Sequence, residues 1–396
     1  MEAERHASLT LAALDAAPLR AADDARVAAW LRAALETLEA RIEDDAWLAG
    51  LGSPLSRPVL SDALRTTLAV RDELEAAQAA LAGAEPRGRV AMILAANVET
   101  AVLRPLVWAL LARDAVALRV SSRRAGLAPA LHEALSRADP ELAGAVAVLR
   151  SERDDLETAS AIDDWAEVIH VHGSDATVRA VSARSRRPVV GHGHGLGLAV
   201  LTSSALDRLG TGARAESAFR ALALDVARYD QRGCLSPQLV LVEPSAPWPT
   251  SEVAAALHAP LSELDATFPR GALDEHERLA ARLWRDVALA LGVPLLEGSG
   301  HAVSVEGGEL RSGPGARSVA VHEVSSGRLD GLLAALAPHL KCVGVPDEEA
   351  MLELEGRLDA TSPRPTVVPL GRMQTPSLLA PADGRPPWHG LAADRD

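Results

Sequence analysis

Short apolar segments alternate with amphipathic ones from residue 89 to residue 191, and this rhythm limits the chain to few folds. RVAMILA (89–95), AVALRV (115–120), AVAVLR (145–150), EVIHVH (167–172) and RPVVG (187–191) have strand length and no polar alternation. Between them, ETAVLRPLVWALLAR (99–113), GLAPALHEALSRA (126–138), a stretch through Asp154–Trp165 and another from Ser174 carry helical spacing. Strands apolar on both faces, each followed by a helix, predict a parallel sheet covered on both sides. A second series follows: a helix over 204–228, the strand LVLVE (239–243), and helices near 250–264 and 273–291. HAVSVEGGEL (301–310) reads as a hairpin around Glu306-Gly307-Gly308. A strand near Val319–Val321, a helix at 327–337, the strand CVGV (342–345) and a helix at 347–358 complete this layer. The expected fold class is α/β, with two doubly wound domains. Residues 1–85 form a helical segment, 86–203 the first α/β domain, 204–360 the second, and 361–396 a Pro- and Gly-rich tail without periodicity.

A chain of 396 residues is long for one core, which agrees with two domains. Aromatic residues make up only 3%, so the core must close by aliphatic packing. The formal net charge of −14 argues against nucleic acid as a partner, since phosphates require clustered Lys and Arg. The start, MEAERHASLTLAALDAAP, lacks a basic region followed by an apolar stretch, as a secretory signal would have. The longest apolar runs, such as LVWALLA (106–112), are too short for a membrane span. Two cysteines make no disulfide framework, and a reducing cytoplasm is the simplest compartment.

One of those cysteines, Cys234, lies in YDQRGCLSPQ, between a helical pattern and a strand. It reads either as a nucleophile, with Gly233 permitting close approach and its own N–H as an oxyanion donor, or as a buried apolar thiol. Cys342, inside an apolar strand, reads as structural. Gly173-Ser174 opens a helix after a strand, which suits a pyrophosphate or an ordinary N-cap. GHGHGLG (191–197) does not match the dinucleotide-binding glycine pattern. No acidic or thiol ligands stand at matching spacing to make His192 and His194 a metal site, so no metal is expected. A close-packed glycine strand beside a cofactor fits better and places Gly193 there. Asn97, at a strand end, could cap a helix or face the cleft, and Arg119 could meet a phosphate or solvate the sheet edge.

In order along the chain, these segments resemble the aldehyde dehydrogenase superfamily. The closest likeness is to its acyl-CoA reductase branch, which includes the LuxC fatty-acyl reductase subunit of bacterial bioluminescence. Asn97 follows the first sheet strand, ALRVSS stands for a "V-L-K-P-S" pattern, Gly173-Ser174 opens a helix, and YDQRGCLSPQ carries the cysteine. The tail PLGRMQTPSLLAPADGRPPWHGL (369–391) is similar to that branch's ending.

The resemblance implies an aldehyde dehydrogenase-like fold. Its dinucleotide-binding domain (86–203) and catalytic domain (204–360) would enclose the active-site cleft, the helical segment packing on the cofactor domain and the tail returning toward it. Cys234 would attack an acyl-CoA thioester and carry the acyl group until NADPH delivers hydride to give the aldehyde. Asn97 and the Cys234 N–H would hold the oxyanion, while Arg119, Ser121, Gly173, Ser174 and Gly193 would line the cofactor.

Two positions depart from the family pattern. Gly191 stands where hydrolytic members place a water-activating Glu, which favours reduction over hydrolysis. Arg119 replaces the usual Lys, though its guanidinium still suits a phosphate. A homodimer and an acyl-transferring partner enzyme are further implications. The alternatives are another oxidoreductase of the superfamily and a non-catalytic relative.

Overall fold

Five short strands build the first sheet: β1 (Arg89–Ile93), β2 (Ala115–Ser121), β3 (Val146–Ser151), β4 (Val168–His172) and β5 (Val189–His192). The computed structural model describes residues 2–95, 98–122, 124, 126–359 and 361–393. All pairings in this sheet are parallel, in the order β3-β2-β1-β4-β5. The order reverses at β1, so its carboxyl edge and that of β4 open a crevice where open α/β sheets bind ligands.

The second sheet holds β6 (Leu196–Leu201), β7 (Pro237–Val242), β8 (Leu295–Glu297), β9 (Ala302–Glu306), β10 (Ser318–Glu323), β11 (Leu340–Val345) and β12 (Thr366–Pro369). Its order is β12-β11-β6-β7-β10-β9-β8, parallel throughout except for β8. The chain passes from the first sheet to the second within 193–195, where β5 runs into β6 with no helix between them. One sequence expectation is corrected here. HAVSVEGGEL is not a hairpin: β9 pairs in parallel with β10. Glu306 is buried and bonded to Ser304 (2.7 Å) and Arg311 (2.8 Å), which draws the chain off the sheet into a loop.

The helical segment covers the first sheet's outer layer. Its longest helix, Asp24–Glu39, buries Val27, Trp30, Leu31, Leu35 and Leu38 at helical spacing. It packs on the helix Ala128–Ala138, where Trp30 Nε1 donates to Leu135 O at 2.9 Å. Asp23 caps it, accepting from Arg26 N at 2.7 Å.

The tail crosses back from the second sheet to the first. Asp225, buried in the helix Ala213–Ala227, accepts Gly371 N (2.6 Å) and Met373 N (3.2 Å). Further along, Leu378 O accepts from Trp108 Nε1 at 3.0 Å, and Ala380 O from Arg104 at 2.9 Å. The tail then pairs Ala392–Ala393 antiparallel with Glu85–Pro86.

Between the helix Ala213–Ala227 and β7, the chain makes an unusual turn. Tyr229, Asp230 and Gln231 all have positive φ (53°, 50° and 60°). Such a conformation costs a non-glycine residue on the order of 1–3 kcal/mol, so each must be held. Tyr229 Oη meets Thr67 Oγ1 (2.7 Å) and Thr100 Oγ1 (3.2 Å). Gln231 Nε2 donates to Pro237 O at 2.8 Å. Asp230, wholly buried, accepts from Arg317 Nε (2.8 Å) and Gly271 N (2.9 Å), and Arg317 is equally buried. Arg317→Met removes one of the two arginines paired with the buried Asp230 and leaves Arg232 Nη1 at 3.2 Å, so it should lower the unfolding free energy by about 1.5–3 kcal/mol. Urea denaturation followed by circular dichroism measures that loss.

Candidate active site

The left-handed turn delivers Cys234 to the amino end of β6, in a short bend closed by Ser236 N donating to Gly233 O at 3.1 Å. The sequence motif GHGHGLG explains how the bend fits. A Cβ on Gly195 would stand 2.6 Å from Cys234 Cβ and 2.7 Å from Lys341 Cγ. A Cβ on Gly197 would stand 2.3 Å from Leu235 O. Only glycine lets the Cys234 loop lie this close to β6. Gln374 from the tail donates to Ser236 Oγ behind the loop.

Solvent reaches Cys234, yet protein surrounds the site on most sides. That desolvation pushes the thiol's pKa up, and the Asp383 charge adds to it. Lys341 and Arg104 act in the opposite sense, as does the residue's own backbone N–H against the sulfur. Arg104 lies on the helix Leu103–Leu111; burial lowers its pKa to about 10, against the raising influence of Cys234 and Glu73. Cys342, by contrast, is buried in β11 with its pKa driven up by desolvation, so it is structural.

Behind Cys234 runs a chain of polar contacts. Lys341 Nζ is ion-paired with Asp383 Oδ1, and Asp383 Oδ2 meets His192 Nδ1 at 2.8 Å. The His192 ring stacks on that of His172 at 4.3 Å. Burial, with the neighbouring His192, keeps His172 and His170 uncharged at neutral pH. Asp383 stays ionised: the bond to His192 and the charge of Lys341 outweigh its burial.

The remaining sequence candidates line, or approach, the crevice at the first sheet's edge. Ser121 ends β2 and borders a small cleft with Leu94, Val98, Glu99 and Arg124. Arg119 is buried, and its guanidinium donates to Ser151 Oγ (2.8 Å) and Glu152 O (2.8 Å), tying β2 to the loop after β3. Ser174 caps the helix Asp175–Arg184, accepting from Thr177 N at 3.2 Å. The space over Gly193 is taken by Asp175, whose Oδ1 also accepts His194 N at 2.7 Å. The Asp175 carboxylate thus stands at the helix end that the sequence offered to a phosphate. Asn97 lies outside the described residues. Among those residues no group of His, Cys, Asp and Glu could hold a metal ion, and no helix is long and apolar enough to cross a membrane.

Sequence reasoning missed Lys341, Asp383, Arg104 and Glu99. One signal was available: Lys341 is the only lysine in the chain. Glu99 is buried with Oε1 lacking a hydrogen-bond partner, and desolvation raises its pKa. An orphaned carboxylate oxygen in the crevice is a ready acceptor for a ligand hydroxyl.

Known structures share this architecture. The NAD-dependent aldehyde dehydrogenase from Sinorhizobium meliloti superposes with a TM-score of 0.73 at 16% identity, covering 99% of this chain and 83% of that one. The Mycobacterium tuberculosis aldehyde dehydrogenase complexed with NAD+ gives 0.68 at 18%, covering 89% and 79%. Glyceraldehyde-3-phosphate dehydrogenase GapN from Methanocaldococcus jannaschii, complexed with NADP, gives 0.70 at 11%, covering 98% and 90%. At these identities the likeness establishes the aldehyde dehydrogenase fold. No curated protein matches the sequence. The family model for acyl-CoA reductase (LuxC) matches residues 40–392, a span that includes both sheets, the Cys234 turn and the returning tail. The chain is a member of the LuxC acyl-CoA reductase family, oxidoreductases that act on an acyl or aldehyde group.

Proposed function

We propose that this protein reduces an acyl-CoA thioester to the aldehyde, with the acyl group carried on Cys234 and NADPH as the hydride donor. The observation that carries this reading is a solvent-reached cysteine just after a strained turn, with the Lys341 stem packed beside it over Gly195. Cys234 sulfur attacks the thioester carbonyl, its proton leaves with the departing CoA thiol, and one C–S bond replaces another. The Cys234 N–H, already against the sulfur, donates to the oxyanion. The Asn97 side chain is the proposed second donor.

Gly191 supports reduction over hydrolysis. A Cβ there would stand 2.4 Å from Val178 Cγ1, so this position has no room for a carboxylate that activates water. An acyl group on Cys234 is then spared attack by water activated from that side.

The crevice is the proposed place for a nicotinamide nucleotide, which would supply the hydride when bound. Glu99 would accept from a ribose hydroxyl, and Ser121 would donate to a phosphate at the end of β2. Gly173, Ser174 and Gly193 would border the nucleotide along β4 and β5. Arg119 would act through the Ser151–Asp155 loop that it holds. The NAD+ and NADP bound to two of the structural neighbours support a cofactor of this class.

Radiolabelled acyl-CoA tests the chemistry. Label should appear on the wild-type protein, be absent from Cys234→Ala, and leave as aldehyde when NADPH is added. Absence of label at every chain length overturns the proposal, and release mainly as free acid points to the hydrolytic chemistry of other superfamily members. A second expectation concerns the cofactor. Glu99→Ala should raise the Kd for NADPH about tenfold or more, since hydrogen bonds to charged groups contribute roughly 1.5–3 kcal/mol. Fluorescence titration, run in parallel with NADH, measures the change.

A further inference from the structure

Of the 40 Lys and Arg residues in this chain, one is a lysine, and it stands beside Cys234. Everywhere else the cation is arginine. The Lys341 stem and the Cys234 side chain meet over Gly195, in a gap too tight for even a Cβ.

Lys341 sits on β11 where the register with β6 shifts between Leu340 and Cys342. Its stem lies beside Cys234 over Gly195, with the side chain 14% exposed, while Cys342 is buried. The charged and titratable groups around the Cys234 sulfur are Lys341 from β11, Asp383 from the tail, Arg104 from the helix Leu103–Leu111 and, more deeply, Cys342. His192 lies beyond Asp383 and His172 beyond His192.

The geometry points to Lys341, fixed in place by Asp383, as the cation that holds the Cys234 thiolate. This rests on Cys234 being the acyl carrier proposed above. An ammonium has three N–H donors, and the Asp383 bond uses one. Asp383 is the positioning residue. Its second oxygen is engaged by His192, which takes up part of the negative charge that would otherwise oppose the thiolate. The same cation serves twice in the cycle: when the thiol first loses its proton, and when the sulfur is released from the reduced acyl group as a thiolate.

Iodoacetamide alkylation of the complete protein across pH 6–11, read at the Cys234 peptide by mass spectrometry, tests the assignment. Lys341→Met and Lys341→Gln should move the inflection up by about one pH unit or more. That is roughly a tenfold loss of thiolate at any pH below both inflections. Lys341→Arg should recover at least half of the shift, because the charge returns. An unmoved inflection in both neutral variants overturns the proposal. So does an Arg variant that titrates like the neutral ones, which would mean that packing, not charge, sets the thiol. Alkylation requires neither acyl-CoA nor nucleotide, so this result stands apart from the success or failure of acyl labelling.

Discussion

The wholly buried pair of Asp230 and Arg317 is the interaction on which the site depends. Three successive residues in the left-handed region would relax if left alone, and with them the position of Cys234 four residues on. Asp230 anchors the middle of that turn to Arg317 at the start of β10 and to Gly271 N beyond. Tyr229 fastens the first residue to the helical segment through Thr67, and Gln231 fastens the last to β7 through Pro237 O. A loop held from three directions loses little conformational freedom when a ligand arrives, which is the structural form that preorganisation takes.

The second constraint is close approach. Gly195 and Gly197 let the cysteine bend lie against β6, while Gly191 and Gly193 let β5 lie against Val178 and Asp175. The run GHGHGLG therefore serves packing at four points in seven residues. The tail then closes the arrangement: Asp225 holds Gly371 and Met373, Gln374 reaches Ser236, and Asp383 reaches Lys341 and His192. Burial raises the Asp225 pKa to about 7 despite two backbone donors. Its folded value lies above the unfolded one, so the stability that it contributes is full at low pH and declines as pH rises toward and through 7.

Much of the fold was legible because parallel strands announce themselves. Apolar runs without alternation, separated by helical spacing, leave few architectures, and Cys234 stood out by its place after a helix. Other features carried no local mark. LGLAVL is equally apolar in either sheet, so pairing with β7 and β11 decided its sheet. Glu306-Gly307-Gly308 reads as a turn until Arg311 is seen to hold the buried carboxylate. Arg119 reads as a phosphate ligand or a solvated sheet-edge residue, and nothing in its local sequence shows that it is buried with Nε on Ser151 and Nη2 on Glu152 O. Lys341 was visible as the only lysine, but its partner stands 42 residues away in a tail without periodicity. Long-range pairs of this kind leave no spacing in the sequence.

The electrostatics of the site explain why a cysteine can wait there without being spent. Desolvation favours the neutral thiol at rest, which limits its reaction with stray electrophiles, since the thiolate is the nucleophile. Lys341 and Arg104 offset part of that cost without removing it. A substrate that excludes the remaining water strengthens both cations' hold on the sulfur, because charges interact more strongly as the surrounding dielectric falls. On the proposed function, binding and activation become one event: the acyl donor would complete the low-dielectric pocket in which the attacking thiolate is stabilised.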